Sequence, residues 1–275
     1  MPIIETQRDD IRNLKGLHLY HFAASNCSQR VRMALEEKQL QWTGHHIDLS
    51  KNEHITDAFQ ALNPKGVVPV LVHDGKTITE SNDIITYIDQ EFEGPPLRPT
   101  GAGDKEFLTE ALQRSSDIQA ALKLVSFEFL FKPARRLTPD QLEAYAATVK
   151  NRDLVNFMRE FSSEKGFSDQ KIKEHVREIV SACSFLEDRL NSSRWLNGEA
   201  FGLADISWIV NIYRLNKMAF PLIQYPGLSD WLRRVSRRVS FKRAIAKYES
   251  TAMTCFFSLY TWLRKMKGTG ISNYL

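Results

Sequence analysis

The hydrophobic positions of the first hundred residues alternate between the spacing of strands and the spacing of helices. Apolar or alternating runs at 17–22, 40–49 and 67–72 are typical of strands, and a shorter run follows at 77–79. Between the last two runs, Asp74-Gly75 predicts a hairpin turn. Between and after these runs, apolar residues recur every three or four positions, as they do on one face of a helix. The resulting order of elements, βαβαββα, predicts a small α/β domain.

The remainder of the chain shows only helical patterns. One regular apolar stripe has seven members: Ile172, Val176, Ile179, Val180, Cys183, Leu186 and Leu190. A second helix is predicted to begin at Thr138-Pro139-Asp140-Gln141, which is a capping box with proline at the first helical position. Residues 94–103 contain three prolines and three glycines, and they are the best linker candidate. We therefore predict an α/β domain at 1–94, a linker at 95–103 and an all-helical domain at 104–275.

Composition and charge exclude several classes of protein. The 275 residues are 43% hydrophobic and 25% charged, which is average for a folded globular chain. The net charge of +4 is spread along the sequence, and the basic run at 233–243 has no aromatic platform, so we expect no nucleic-acid partner. No apolar stretch approaches the roughly 20 residues that span a bilayer, and residues 1–13 lack the apolar core of a signal peptide.

The cysteines and histidines point to a reducing compartment and to no metal. Cys27, Cys183 and Cys255 are odd in number and far apart, so we expect no disulfide framework and a cytoplasmic location. The seven histidines have no metal-ligand spacing, and we predict no metal site.

The first segment with candidate chemistry is Ser25-Asn26-Cys27-Ser28, which follows a strand and begins a helix. Free backbone N–H groups and the helix dipole stabilise an anion at such a position. A thiolate held there has a lowered pKa for the same reason. The alternative is that Ser25 only caps the helix.

Two further segments of the first domain have the same character. In Asn63-Pro64-Lys65-Gly66-Val67-Val68-Pro69, a proline interrupts a strand-like run, which places it at an edge or in a special turn. A cis bond before Pro69 would leave the peptide groups of Val68 free to pair with an extended ligand. Glu80-Ser81 precedes another helix, where serine binds a carboxylate or acts as a cap.

Together these motifs resemble the N-terminal, thioredoxin-like domain of cytosolic glutathione transferases of the serine type. The C-terminal half is similar to the helical domain of that family at Trp195–Gly198, Phe201–Ile206 and Pro226–Trp231. Asp205 matches the buried capping aspartate of the family. The serine or threonine usual in that box is replaced by Gly202, which weakens the expected cap.

The resemblance implies roles for individual residues and names the partners. Ser25 would donate to the glutathione sulfur, with Asn26 as a second donor. Val68, before Pro69, would pair with the cysteinyl part of glutathione, and Glu80 and Ser81 would hold its γ-glutamyl end. The glycine carboxylate would be held by one of three basic residues, among which the sequence does not choose: Lys51, His54 and Lys65. The expected protein is a homodimeric, cytoplasmic enzyme that transfers glutathione to an apolar, aromatic electrophile.

Cys27 leaves a second reaction open. Ser25-Asn26-Cys27-Ser28 resembles the corresponding motif of zeta-class enzymes and of the bacterial tetrachlorohydroquinone reductive dehalogenase, in which such a cysteine resolves a mixed disulfide with glutathione. The chain also resembles β-etherase-type transferases, which cleave aryl ethers. The alternatives are therefore a reductive dehalogenase or isomerase that uses Cys27, or a glutathione-binding protein with little turnover.

The chain is longer than the fold requires, and the surplus lies in two segments. An added helical segment at 131–166 resembles that of the ganglioside-induced differentiation-associated relatives. A tail at 249–275 contains a run of aromatic and aliphatic residues followed by Arg264, Lys265 and Lys267. This tail either lies at a membrane surface or folds back over the substrate pocket, and the second arrangement is favoured because the stretch is short.

Overall fold

A computed structural model of the chain describes residues 8–275 and the short strand Ile3–Ile4. One sheet contains five strands: β1 (Ile3–Ile4), β2 (Leu17–His21), β3 (Thr43–His46), β4 (Val70–His73) and β5 (Lys76–Ile78). Their spatial order is β1-β5-β4-β2-β3, with β2 and β3 parallel and the other pairs antiparallel. The β4–β5 turn has positive φ at Asp74 (46°) and Gly75 (80°), so the predicted Asp-Gly hairpin is confirmed.

Four helices belong to this α/β half: α1 (Asp9–Arg12), α2 (Asn26–Glu37), α3 (Asp57–Gln60) and α4 (Ser81–Glu91). The predicted βαβαββα order is confirmed, and the thioredoxin-like domain is extended by β1 and α1. Both additions are too short to give a periodic signal in the sequence. Leu17 and Leu19 point to the same side of β2, and both are buried against α2 and α4.

The rest of the described chain is helical, as predicted. Its α-helices are α5 (Ala102–Asp117), α6 (Gln119–Ser126), α7 (Lys132–Arg135), α8 (Pro139–Thr148), α9 (Arg152–Ser162), α10 (Asp169–Leu190), α11 (Leu203–Lys217), α12 (Pro226–Ser236), α13 (Val239–Ala244) and α14 (Thr251–Met266). The capping box at Thr138 is present. The helical stretch that ends at Phe131 is divided into α5, α6 and a π-helical turn, Phe127–Phe131. The exact domain limits remain a prediction.

The two halves share one continuous apolar core and several buried polar contacts. The Arg32 guanidinium of α2 donates to the Ala244 carbonyl at 2.7 Å. Arg238 makes two hydrogen bonds of 2.7 Å with the Glu37 carboxylate, so the basic run at 233–243 is partly engaged in structural ion pairs. No helix among the described residues is long and apolar enough to cross a membrane.

The buried Asp205 carboxylate fixes the start of α11. It accepts hydrogen bonds from the N–H groups of Leu196 (2.9 Å) and Gly202 (3.0 Å) and from the Trp231 indole (2.6 Å). A side chain at Gly202 would overlap with the Leu97 carbonyl and with Asn197, which explains why glycine replaces the usual hydroxyl residue here. Burial nevertheless raises the pKa of Asp205 to about 6.

Candidate active site

A cavity of about 1250 Å³ lies between the two halves of the chain. It is larger than the 300–1,000 Å³ or so of an ordinary small-molecule site. Its polar part is lined by the start of α2, the loop before β4 and the start of α4. Its apolar part is lined by α6, the π-helical turn and the segment 131–166. The volume is sufficient for a tripeptide and a second small molecule.

Ser25 lies at the polar part of this cavity and is the N-cap of α2. Its Oγ accepts a hydrogen bond from the Ser28 N–H at 3.3 Å. The hydroxyl proton is donated to no residue in the described part of the chain, so Ser25 can cap the helix and still donate to a ligand. The helix N-terminus adds a positive field at the same point.

The turn that carries Ser25 is held by two arginines from different halves of the chain. Arg32 donates to the Ala23 carbonyl at 2.9 Å, and Arg214 of α11 donates to the Ala24 carbonyl at 2.6 Å. Burial lowers the pKa of each guanidinium to about 10, so both remain charged at neutral pH. Because its carbonyls are anchored in this way, the turn is a rigid support for the serine.

Val68 offers a free peptide group to the cavity. The bond between Val68 and Pro69 is cis, and β4 begins only at Val70. Within the described residues, neither the N–H nor the C=O of Val68 makes a hydrogen bond. Both Val68 and Pro69 line the cavity, so the geometry suits pairing with an extended ligand.

The start of α4 forms a second polar contact point. Ser81 is buried, and its Oγ accepts a hydrogen bond of 2.8 Å from Arg30 Nη1. Arg30 is almost completely buried, and its Nη2 has no partner among the described residues. Glu80 has a φ of 63° and forms an exposed ion pair with Lys65 at 2.6 Å. A buried guanidinium with a free donor, behind a helix N-terminus, favours an anionic ligand.

Cys27 and Asn26 also line the cavity. The partly buried Cys27 Sγ lies 3.9 Å from Gln119 Oε1, and the guanidinium groups of Arg30 and Arg214 are close enough to Cys27 to interact with it electrostatically. Asn26 Oδ1 is buried and has no partner among the described residues. Cys27 is therefore accessible from the cavity rather than enclosed in the core.

Only one of the three basic candidates for the glycine carboxylate lies at the cavity. His54 lines it, and its buried Nδ1 has no described partner. Burial and the nearby Arg135 lower the pKa of His54, so this ring is neutral at pH 7. Lys51 is exposed and lies near Asp48, whereas Lys65 is engaged by Glu80; neither lysine is part of the lining.

The charge of the lining is strongly positive. Two carboxylates, Glu80 and Asp83, face six cationic side chains: Arg30, Arg98, Lys105, Lys123, Arg135 and Arg214. Such an excess raises the local concentration of an anionic ligand. Sequence reasoning missed the four arginines, because each comes from a different element and only the tertiary structure brings them together.

The inserted segment, not the tail, closes the apolar end of the cavity. Its contribution to the lining comprises Phe131, Arg135, Leu137, Tyr145, Leu154 and Met158. On the opposite side of the cleft, Ile55 packs against Val149 and Val155 of this segment. No residue of the tail at 249–275 is part of the lining. The prediction that the tail covers the pocket is therefore wrong, because α14 packs behind the wall that the π-helical turn forms.

Comparison with known families identifies both halves of the chain. A family model for the glutathione S-transferase N-terminal domain matches residues 19–96, and one for the C-terminal domain matches residues 169–234. Together the two matches cover more than half of the chain.

Individual relatives extend this similarity over most of the chain. Glutathione S-transferase 1 of Dianthus caryophyllus is 29% identical over 87% of this chain and 91% of its own length. Glutathione S-transferase TCHQD of Arabidopsis thaliana is 26% identical over 84% and 90% of the two chains. The crystal structure of the β-etherase LigF from Sphingobium sp. strain SYK-6 is 26% identical and matches with a TM-score of 0.75, over 84% of this chain and 99% of LigF. The chain therefore belongs to the glutathione S-transferase family, whose members use glutathione as cosubstrate.

Proposed function

We propose that this transferase uses Ser25 to activate the glutathione thiol for attack on an apolar, aromatic electrophile. The observation that carries the proposal is the position of Ser25: a helix N-cap at the cavity, with a hydroxyl proton that no described residue accepts. A sulfur atom placed at this hydroxyl receives a hydrogen bond and the field of the helix N-terminus together.

The polar part of the cavity accommodates the ends of glutathione. The free peptide group of Val68, beside the cis bond to Pro69, pairs with the cysteinyl residue. The γ-glutamyl carboxylate lies at the N-terminus of α4, where Ser81 and the buried charge of Arg30 stabilise it. Glu80 is one of the two acidic residues of the lining, and its carboxylate is suited to the γ-glutamyl ammonium.

The glycyl carboxylate lies at the other end of the cavity, beside His54 and Arg135. Arg135 forms no ion pair or hydrogen bond within the described part of the chain, and its charge acts on the His54 ring. Arg135 lines the same cavity as Ser25, and a cation without a counter-ion there complements the second carboxylate of the tripeptide. The inserted segment then contributes directly to the binding of glutathione.

The required activation is modest in energy. A free thiol has a pKa of about 8.5, so lowering the pKa by about two units makes most of the sulfur anionic at pH 7. Two units correspond to roughly 2.7 kcal/mol, which one charge-assisted hydrogen bond and a helix terminus can supply. The thiolate then forms a carbon–sulfur bond, and the leaving group departs with its electron pair and takes up a proton.

The apolar end of the cavity selects the electrophile. Phe127, Phe131, Tyr145 and Met158 form an aromatic-rich wall that suits a planar, apolar molecule. Conjugation and thiolytic cleavage of an aryl ether use the same attack and differ only in the leaving group. Similarity to the β-etherase LigF supports ether cleavage as one of these reactions.

Cys27 supports a second candidate function. The thiol is accessible from the cavity, and Arg30 and Arg214 place two positive charges near it. In a reductive dehalogenation, Cys27 would attack the sulfur of a glutathionylated intermediate and release the product carbanion for protonation. A second glutathione would then reduce the protein–glutathione disulfide. An isomerisation has no net redox change, so there glutathione would add to the substrate and leave again as the thiol, with Cys27 beside the reacting sulfur.

The primary test combines binding and turnover. We expect the protein to bind glutathione below millimolar concentration and to transfer it to a model aryl halide or aryl ether. Ser25→Ala should lower the rate at least about tenfold, or about 1.4 kcal/mol, whereas Cys27→Ser should leave it unchanged. A glutathionylated product that accumulates only in Cys27→Ser would support the reductive route. Binding without turnover would identify a glutathione-binding protein, and no binding would contradict both enzymatic proposals. A homodimer in the cytoplasm remains part of the proposal.

A further inference from the structure

The tail helix α14 has two faces of different character. The inward face packs on the π-helical turn, where the Phe257 and Phe131 rings lie 5.8 Å apart. On the same face, Arg264 donates to the carboxylate of the buried Glu128 at 3.1 Å. These contacts fix the rotation of α14 about its own axis, so the residues opposite to them must face solvent.

The outward face of α14 is apolar along its whole length. At 3.6 residues per turn, Phe256, Leu259, Leu263 and Met266 fall on one stripe, on the side of the helix opposite the buried Thr261. Of the ten large hydrophobic side chains that are exposed in the described part of the chain, six belong to this helix: Met253, Phe256, Leu259, Trp262, Leu263 and Met266. Leu259 is 57% exposed and Met266 is 69% exposed. A cluster of this kind marks an interaction surface.

The charged side chains of the tail segment itself are of one sign. The segment 251–275 contains no aspartate or glutamate, and it contains Arg264, Lys265 and Lys267. Arg264 is neutralised by Glu128, whereas Lys265 and Lys267 are exposed at the C-terminal end of the helix. The closest acidic residue in sequence, Glu249, is held by Lys217 and by the Tyr213 hydroxyl.

This charge pattern disfavours a second copy of the chain as the occupant. An antiparallel pair of α14 helices would place the lysines of one copy at the positive N-terminus of the other. An anionic lipid surface complements the lysines and accepts the apolar stripe. Trp262, at the same end, is a residue type that favours the boundary between headgroups and acyl chains.

We propose that α14 docks this protein on the surface of membranes that contain anionic lipids. The helix lies in the plane of the interface, with its outward face among the acyl chains and with Lys265 and Lys267 at the headgroups. With 16 residues it measures about 24 Å, so it lies on the bilayer rather than across it. Phe257 contacts Phe131, which lines the cavity. Docking therefore places the apolar end of the cavity near the lipid, and apolar molecules dissolved in the lipid can enter the cavity from there.

Vesicle flotation of the full chain tests this proposal. We expect binding to phosphatidylcholine vesicles that contain phosphatidylserine, and weaker binding, by about fivefold for each lysine, for Lys265→Gln and Lys267→Gln. Leu259→Gln/Leu263→Gln should reduce binding at least about tenfold. The matched control is Ile223→Gln/Val239→Gln, which removes two apolar side chains elsewhere that are more exposed than Leu259 and Leu263, and it should bind as the wild type does.

A second readout locates the contact on the helix. Brominated lipids should quench part of the tryptophan fluorescence, and Trp262→Phe should remove that part while the other four tryptophans remain. Failure to bind the anionic vesicles, or equal binding by the Leu259/Leu263 and control variants, would overturn the proposal. The proposal would also be overturned if sedimentation without lipid showed a larger assembly that Leu259→Gln/Leu263→Gln dissociates. The outward face of α14 would then be covered by a second copy of the chain.

Discussion

Arg135 provides a test of the way in which the inserted segment contributes to glutathione binding. This side chain lies at the cavity beside His54 and has no counter-ion among the described residues. Arg135→Gln removes its charge and keeps most of its length. A hydrogen bond between charged groups contributes about 1.5–3 kcal/mol, and partial exposure reduces this value. About 1.4 kcal/mol remains, which corresponds to a tenfold rise in Kd for glutathione.

The assay compares two ligands that differ only at the glycyl end. Calorimetric titration with glutathione should show the tenfold loss in Arg135→Gln. Titration with the glycyl monoethyl ester of glutathione, which lacks that carboxylate charge, should show less than about a twofold difference between wild type and variant. Lys51→Gln is the matched control, because Lys51 is exposed and lies outside the lining. This variant should bind both ligands as the wild type does.

An independent measurement follows the His54 ring. Because Arg135 contributes to the lowered pKa of His54, Arg135→Gln should raise the pKa of that histidine in an NMR titration of the free protein. Equal losses of glutathione and ester affinity would contradict the assignment of Arg135 to the glycyl carboxylate, as would a loss in Lys51→Gln. If glutathione itself does not bind to the wild type, the proposed function fails before this question arises.

Three further predictions concern the support of the site. Asp205→Asn should lower the free energy of unfolding by about 2–3 kcal/mol in urea denaturation, since an amide cannot accept all the N–H groups around it. Because the pKa of Asp205 is raised to about 6, the folded state binds the carboxyl proton more tightly than the unfolded chain does. The stability of the wild type should therefore fall relative to that of Asp205→Asn as the pH rises from about 4 to 6. A parallel pH dependence of the two proteins would contradict the raised pKa. Gly202→Ala should lower the free energy of unfolding by about 1–3 kcal/mol, because the added Cβ overlaps with the Leu97 carbonyl. Gly103→Ala is the control: its added Cβ in α5 has no atom within 4 Å, so it should raise the free energy of unfolding by about 0.5–1 kcal/mol. Arg214→Gln removes the hydrogen bond to the Ala24 carbonyl and should lower kcat about tenfold at saturating glutathione. Arg214→Lys should restore part of this loss. An unchanged kcat would show that Arg214 does not position Ser25.

The features that could be predicted from the sequence are those formed by residues that are neighbours along the chain. The strand at 17–22 followed by Ser25-Asn26-Cys27-Ser28 gives both a helix start and a candidate site, because the turn and the cap are made by neighbouring residues. The Asp74-Gly75 hairpin and the capping box at Thr138 are predictable for the same reason.

The unpredicted part depends on contacts between distant elements. Arg30 reaches Ser81 across 51 positions, and Arg214 reaches Ala24 across 190 positions, so no spacing in the sequence marks them as site residues. The tail illustrates the same limit. Its apolar composition is compatible with covering the pocket, yet the ion pair between Arg264 and the buried Glu128 fixes α14 behind the cavity wall. The segment 131–166 takes the covering position instead.

The proposed function requires that Ser25 lower the pKa of the glutathione thiol when glutathione is bound. The ultraviolet absorbance of the thiolate, titrated against pH in the binary complex, measures this quantity directly. We predict a bound thiol pKa about two units below that of free glutathione, and a return of at least about one unit in Ser25→Ala. A bound thiol that titrates as in free solution, or one whose pKa is the same in wild type and Ser25→Ala, would contradict the role proposed for Ser25.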